Sequence, residues 1–209
     1  SLNIEDANLY AASFGDPARQ VQNFAGVTGN GDDLNNEIVI RGNSPNTVLW
    51  RLEGAEIPNP NHFGAEGGSG GPISILNADL LDNSEFYTGA FPAEFGNALS
   101  GVFDISLRKG NNQKHEFAAG ISALGLDATA EGPLNPATGS SYLVNYRYSS
   151  LDLLNNLGII DFGGIPKYQD GAYKLFMPTK KAGTFSFYGI GGYNGISQEY
   201  KDSLEENVI

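Results

Sequence analysis

The sequence predicts an α+β domain, a small mixed sheet with short helices, followed by antiparallel β-strands of a transmembrane β-barrel. Three observations point there. Residues 1–110 set short apolar runs between Gly, Asn and Pro turns, after one stretch with helical spacing. Residues 111–209 hold five runs with apolar or aromatic side chains at every second position. The composition suits both parts, with 28 Gly, 12 Phe and 10 Tyr, a single Trp and no Cys among 209 residues.

Bulk chemistry narrows the function. With 12 basic and 24 acidic residues the formal charge is −12, which argues against nucleic acid or anionic headgroups as partners. The lack of Cys removes thiolate catalysis, Cys-based metal sites and disulfides together. No apolar run reaches the roughly 18 residues a transmembrane helix needs, but barrel strands need no such run. The opening "SLNIEDANLY" has neither the basic nor the apolar region of a signal peptide. An enzyme is not expected: there is no nucleophile-elbow pattern, and Asp127 and Glu131 lie along one strand. "GAEGGSGG" lacks the Lys-Ser/Thr of a phosphate loop, and no cofactor is expected. "GNGDDLNNE" offers Asp32, Asp33, Asn35, Asn36 and Glu37 as oxygen ligands, at a spacing that does not fit the EF-hand register.

In chain order, "DPARQVQNFAGV" offers Asp16 as an N-cap and Pro17 at the first helical position. Ala18, Val21 and Phe24 or Ala25 would share a face, with Gly26 as the stop. A short helix is also expected from Ile4 to Ala12. "EIVIRG" reads as a strand, "NSPN" as a turn and "TVLWRLEGAEI" as one further strand. "PNPNHFGAEGGSGG" is a long loop without regular pattern, of a kind that is commonly functional. "NADLLDNS" suggests one or two helical turns, and "EFYTGAF" and "NALSGVFDISLRKG" suggest strands.

The second part alternates. Phe117, Ala119 and Ile121 fall on one face, as do Leu124, Leu126, Ala128 and Ala130 in the next run. Tyr142, Val144, Tyr146 and Tyr148 oppose Ser141, Asn145 and Arg147. Tyr173, Leu175 and Met177 oppose Lys174, and Phe185, Phe187 and Tyr193 oppose Thr184 and Ser186. Alternation alone fits a soluble antiparallel sheet with one buried face as well as a barrel. Two details favour the membrane: aromatic residues gather toward strand ends, and most links alternate between short and long. The short link at "SALG" is the exception.

The resemblance that joins the two parts rests on four segments in order: "DPARQVQNFAGV", "NNEIVIRGNSPN", "VLWRLEGAEIPNPNHFG" and "GGPISILNADLLDNSEFYTGAFPAEFGNALSGVFDI". They resemble the plug domain of TonB-dependent outer-membrane receptors, and the "NPNHFG" spelling resembles the Bacteroidetes-type branch. The resemblance implies a plug domain over residues 1–110, and over 111–209 the first strands of a truncated barrel that in the family counts about 22. Departures are Glu53-Gly54 for the family's Asp-Gly, Arg51 before it, and Ala25-Gly26-Val27 for Pro-Gly-Val. A TonB box and the first plug strand are missing, and the chain reads as cut within an extracellular loop at "QEYKDSLEENVI". The second class kept open is a secreted, soluble carbohydrate-binding β-protein, for which exposed Trp platforms would be expected.

The resemblance implies active uptake of a scarce nutrient (siderophore, vitamin, glycan or peptide) at the bacterial outer membrane. TonB, a small extracellular ligand and outer-membrane lipid are the implied partners. It places Asn43, Ser44, Asn46, Asn59, Asn61, His62 and Phe63 on apical loops that floor the ligand pocket, with no metal at His62. A His in a loop also fits a plain packing role. Along "TVLWRLEG", Val48, Trp50 and Leu52 share one face, and Leu49, Arg51 and Glu53 the other. Arg41, Arg51 and Glu53 are therefore expected either to interlock with the barrel wall or to form an Arg–Glu pair between adjacent strands.

Overall fold

Asp16 and Pro17 start the first helix in the computed structural model, which describes residues 16–29, 31, 35–122, 125–149 and 165–197. The Asp16 Oδ1 accepts from the Ala18 N–H at 2.8 Å, and Pro17 takes the first position of α1 (Pro17–Val21), where its missing N–H costs nothing. The helix is shorter than its spacing predicts, because the chain turns away at Gln22 and passes through Gly26 at φ +80. The helix expected from Ile4 to Ala12, the Asp32 and Asp33 loop and the end at "QEYKDSLEENVI" lie outside the described residues.

β1 (Val27–Gly29) pairs antiparallel with β2 (Ile38–Ile40), so "EIVIRG" is not the hairpin partner of the strand that follows it. Instead a 3-10 turn at Pro45–Thr47 leads into β3 (Val48–Leu52). The segment expected as a single strand is a hairpin. Glu53 and Gly54 both adopt positive φ (52 and 83), as a two-residue type I′ turn requires, and β4 (Ala55–Ile57) returns along β3. This ends the strict alternation at Leu52, so Arg51 and Glu53 no longer share a face.

The long loop contains order that its composition hid: β5 (Asn61–His62) pairs with β6 (Ile73–Ser74). A 3-10 turn at Ala78–Leu80 stands where helical turns were expected, with Asn77 as its cap. β7 (Glu85–Tyr87) and β8 (Gly101–Ile105) complete a four-stranded sheet of order β4-β3-β8-β7 in which β3 and β8 run parallel. Trp50 stacks on Phe103 at 4.1 Å between ring centroids, and Leu52, Ile105, Val21 and Ile40 close the main core around them. The other face of β3 is apolar too, with Leu49 joining Phe95 and Val102 in a smaller cluster.

Five strands follow: β9 (Glu116–Ile121), β10 (Gly125–Asn135), β11 (Ser140–Ser149), β12 (Ile165–Pro178) and β13 (Thr184–Ser197). Each pairs antiparallel with its neighbour in sequence to form one wall. β12 begins at Ile165, earlier than the aromatic alternation suggests. The wall reverses the usual sense of a soluble sheet. Its outward face is apolar and exposed, with Phe117 at 78%, Ile121 at 87% and Tyr193 at 71% of full accessibility. Its inward face buries Thr129, Ser141, Asn145, Asp170 and Lys174. A contiguous apolar face of this kind needs a nonaqueous neighbour, and β10 to β13 have the length of tilted membrane-crossing strands. No helix among the described residues is long and apolar enough to cross a membrane.

Leu143 and Ala172 of the wall belong to the same apolar cluster as Trp50 and Leu52, with Tyr188 and Ile190 packed against it. The small domain therefore sits against the inward face of the wall. Gly101 marks a tight point inside that domain, since a Cβ there would press on the Ile40 side chain and lie 2.9 Å from the Tyr87 carbonyl. Replacing Gly101 by Val is expected to cost about 1–3 kcal/mol by overpacking, seen as a lower denaturant midpoint for the small domain.

Candidate functional site

The candidate site is the seam between the small domain and the wall. It is organised by β12, whose inward side chains are Tyr168, Asp170, Ala172 and Lys174. Strand alternation sets them about 7 Å apart in one row.

At the upper position Asp170 stands opposite Arg147 of β11. The guanidinium donates from Nε to Oδ1 and from Nη2 to Oδ2, both at 2.8 Å, and Nη2 also donates to the Ser74 carbonyl at 2.6 Å. His62 Nε2 lies 2.8 Å from the same Oδ2, and Asn194 Nδ2 lies 3.4 Å from His62 Nδ1. These contacts suit the tautomer with its proton on Nε2, donating to Asp170 while Nδ1 accepts from Asn194. His62 has no accessible surface, and the carboxylate beside it is 4% exposed. Gly192 makes the room, since a Cβ there would lie 2.6 Å from the imidazole Cε1.

Two positions down the row, Lys174 Nζ donates to Glu53 Oε1 at 2.8 Å and to the Leu107 carbonyl at 2.6 Å. Glu53 Oε1 also accepts from the Leu107 N–H at 2.6 Å, and Tyr188 donates its hydroxyl to the Leu52 carbonyl at 3.1 Å. The positive φ of Glu53 is what turns its side chain out of the β3 alternation toward Lys174. A third tie lies where the small domain leads into the wall. There Arg108 donates to Glu131 at 2.7 Å and to the Asp79 carbonyl at 2.7 Å. The seam is thus an apolar patch at Leu143 and Ala172 set among buried and part-buried charges that are paired or hydrogen-bonded.

The charged trio expected to act together is split. Glu53 meets the wall at Lys174. Arg51 stays within the small domain, donating to the Gly54 carbonyl at 2.8 Å with its guanidinium 4.9 Å above the Phe95 ring. The Arg41 side chain lies across Gly26 and Gly89, with no wall residue among its described contacts. No Arg–Glu pair links adjacent strands at these positions among the described residues. Instead of pairing with Glu53, Arg51 is drawn to the turn it precedes.

The residues expected on ligand-facing loops also separate. Asn43, Ser44 and Asn46 are exposed, with Asn43 Nδ2 donating to the Ile40 carbonyl at 2.9 Å. Phe63 is half-buried at φ 55. Asn59, Asn61 and His62 are drawn inward by the β5–β6 pairing. Asn59 Nδ2 donates to the Gly70 carbonyl at 2.9 Å, and Asn61 Nδ2 donates to Asn59 Oδ1 at 2.5 Å. Asn36 Nδ2 contacts both Asn61 Oδ1 and Asp16 Oδ2 at 2.6 Å. Arg147, Asp170 and Lys174 were missed as seam residues, although the alternation had already set Arg147 and Lys174 opposite the aromatic face. Among the described residues no cluster of His, Asp and Glu could hold a metal ion.

Residues 3–102 match the family model of the TonB-dependent Receptor Plug Domain. The small domain has the fold of a TonB-dependent receptor plug. Two solved structures share the fold of plug and wall together. One is the ferric enterobactin receptor PfeA in complex with BCV-L6. The other is an arginine-to-alanine mutant of that receptor from Pseudomonas aeruginosa in complex with enterobactin. Each is 18% identical, with a TM-score of 0.59, covering 93% of this chain and 33% of that chain. The protein chain described here therefore spans about one third of the length of those receptors. No curated protein sequence matches it.

Two outcomes follow for the plug. Lys174→Met leaves Glu53 with the Leu107 N–H but no cation, and is expected to cost about 3–5 kcal/mol. The pair Lys174→Met with Glu53→Gln should recover a large part of that loss, and a double-mutant cycle on thermal unfolding in detergent measures the coupling. Asp16 gives a pH signature. Burial pushes its carboxyl above the ordinary 3.8, outweighing hydrogen bonds from Asn36 and Ala18 and the nearby Arg19. The protonated form therefore favours the fold, so Asp16's contribution is whole below pH 3.8 and is lost as pH rises through its higher folded value. Asp16→Asn keeps the Ala18 bond but faces Asn36 Nδ2 with a second donor, so it should start below the parent and gain on it as pH is raised, in unfolding midpoints taken between about pH 4 and about pH 7.

Proposed function

We propose that the chain is the plug and part of the barrel wall of an outer-membrane receptor that imports a scarce small ligand and opens when TonB pulls from the periplasmic side. The observation that carries this is the chemistry of the seam. Arg147, Asp170, His62, Lys174 and Glu53 hold the plug by contacts that water can replace one at a time as the plug moves. A purely apolar seam would expose a large sticky surface on opening. The apolar outer face of β9 to β13 supports lipid as the surrounding medium, and the outer membrane as the location.

The exposed Asn43, Ser44 and Asn46 and the half-buried Phe63 of the apical loops supply amide, hydroxyl and stacking contacts for a ligand. Asn61 and His62 are assigned a different role, as anchors beneath the ligand floor. The "NPNHFG" segment supports a Bacteroidetes-type branch. Siderophore, vitamin, glycan and peptide remain the ligand classes for the full receptor, and plug and barrel together point to transport rather than catalysis.

The test uses the full-length receptor in cells, offered a panel of ferric siderophores, cobalamin, oligosaccharides and peptides. Uptake of one panel member is expected, lost on deletion of TonB and retained on removal of an unrelated energy-coupling protein. Uptake that persists without TonB would overturn the reading. Substituting Arg147→Ala together with Lys174→Met should loosen the plug and raise sensitivity to vancomycin, an antibiotic the closed barrel excludes.

A further inference from the structure

The seam is linked to the start of α1 through an asparagine, Asn36. Asn36 makes a saturated set of contacts. One Nδ2 hydrogen goes to Asp16 Oδ2 and the other to Asn61 Oδ1, both at 2.6 Å. Its Oδ1 accepts from the Gly71 N–H at 3.0 Å, and its own N–H donates to the Gly71 carbonyl at 3.0 Å. Asn36 is 2% exposed, so none of these bonds has water as a ready substitute.

Each end of this clasp reaches a different structure. Asp16 is the N-cap of α1. Asn61 is half of the two-residue strand β5, and the other half is His62. Successive strand side chains point to opposite faces, so β5 sends Asn61 to the helix cap and His62 to Asp170. Its partner strand contributes Ser74, whose carbonyl takes the Arg147 guanidinium. Two sets of polar contacts, Asp16–Asn36–Asn61 and His62–Asp170–Arg147, are therefore joined by the backbone of β5, where Asn61 and His62 are neighbours. Gly71 lets the strands close around it, since a Cβ there would lie 2.6 Å from the His62 carbonyl.

We infer that Asn36 couples the start of α1 to the seating of the 58–71 loop on the wall, so that displacement of the chain before Asp16 loosens His62 from Asp170, and unseating of His62 loosens α1. The use made of this coupling rests on the transport reading: a pull on the N-terminal side would be felt first beneath the ligand floor. The coupling itself is a property of the fold, and is tested without ligand or TonB. The seam's second tie, Lys174 to Glu53, lies outside these contacts and serves as the control.

The experiment is hydrogen exchange on the full-length receptor in nanodiscs, reading the amides of Gln20 in α1 and of Phe24 in the turn that follows it, which bond to the Asp16 and Val21 carbonyls. Asp170→Asn removes the charge that holds His62 and Arg147, without touching α1. It is expected to speed α1 exchange about fivefold to tenfold, the change that follows loss of one hydrogen bond's net contribution to a closed state. In an Asn61→Ala background, which removes the Asn36–Asn61 bond and leaves both ends intact, Asp170→Asn should produce no further change at α1. Arg147→Lys, which keeps the charge but not the two-pronged contact, is the milder variant if Asp170→Asn does not fold, and should act in the same direction. Lys174→Met should leave α1 exchange unchanged. Unchanged α1 exchange in Asp170→Asn or Arg147→Lys, with a loosened 58–71 loop, would overturn the coupling. So would an equal response to Lys174→Met. Loss of TonB-dependent uptake is a separate measurement, so failure of one reading leaves the other standing.

Discussion

The Asp170 carboxylate is the interaction on which the rest of the assembly turns. Two oxygens in a site with almost no solvent accept from a guanidinium and an imidazole that belong to different bodies, the wall and the plug. A buried carboxylate without partners would be strongly unfavourable, so folding of the wall requires Arg147 in place, and full satisfaction of the pair requires the plug. The constraint is mutual. His62 is fully buried only because Tyr168, Asp170, Gly192 and Asn194 surround it from β12 and β13. Neither the strands nor the plug holds this arrangement alone.

That dependence explains why the wall is inverted relative to a soluble sheet. Its outward row, including Phe117, Tyr146, Tyr173, Phe187 and Tyr193, has no protein to pack on among the described residues, whereas its inward row is spent on polar groups that match the plug. Even the inward apolar residues are used economically, with Leu143 and Ala172 continuing the core that Trp50 and Phe103 begin. Charge and apolar contact alternate along β12 as Asp170, Ala172 and Lys174, which fixes the height of the plug on the wall. A slip by two residues would set each charge against the wrong partner.

Sequence made the two-part plan legible because both periods are strong. Period-two alternation with aromatic residues marked the five strands, and the Asp16-Pro17 pair marked the start of α1. What it concealed was conformational. Glu53 and Gly54 look like the interior of a strand, yet the left-handed φ of both turns the chain there and redirects the Glu53 side chain toward Lys174. "NPNHFGAEGG" looks like an exposed loop, yet long-range pairing of Asn61 with Ser74 pulls two of its polar residues inside. In both cases the deciding partner lies far along the chain: Lys174 is 121 positions from Glu53, and Asp170 is 108 from His62. Local pattern reports which side chains leave the aromatic face; it does not report what they meet.

The distribution of these partners bears on how such a plug can be both tight and movable. If apolar burial held it, every stage of release would expose surface that water does not accept, and the cost would rise with displacement. Here the apolar part of the seam is confined to a small patch near Leu143, Ala172, Tyr188 and Ile190, while the ends are held by ion pairs and amides. Those groups lose little once hydrated, so most of the resistance falls in the first step, when buried charges part before water reaches them. On the transport reading proposed above, a seam of this kind would resist thermal opening yet yield to a directed pull applied at one end. The asparagine clasp at Asn36 puts one such end at the N-cap of α1.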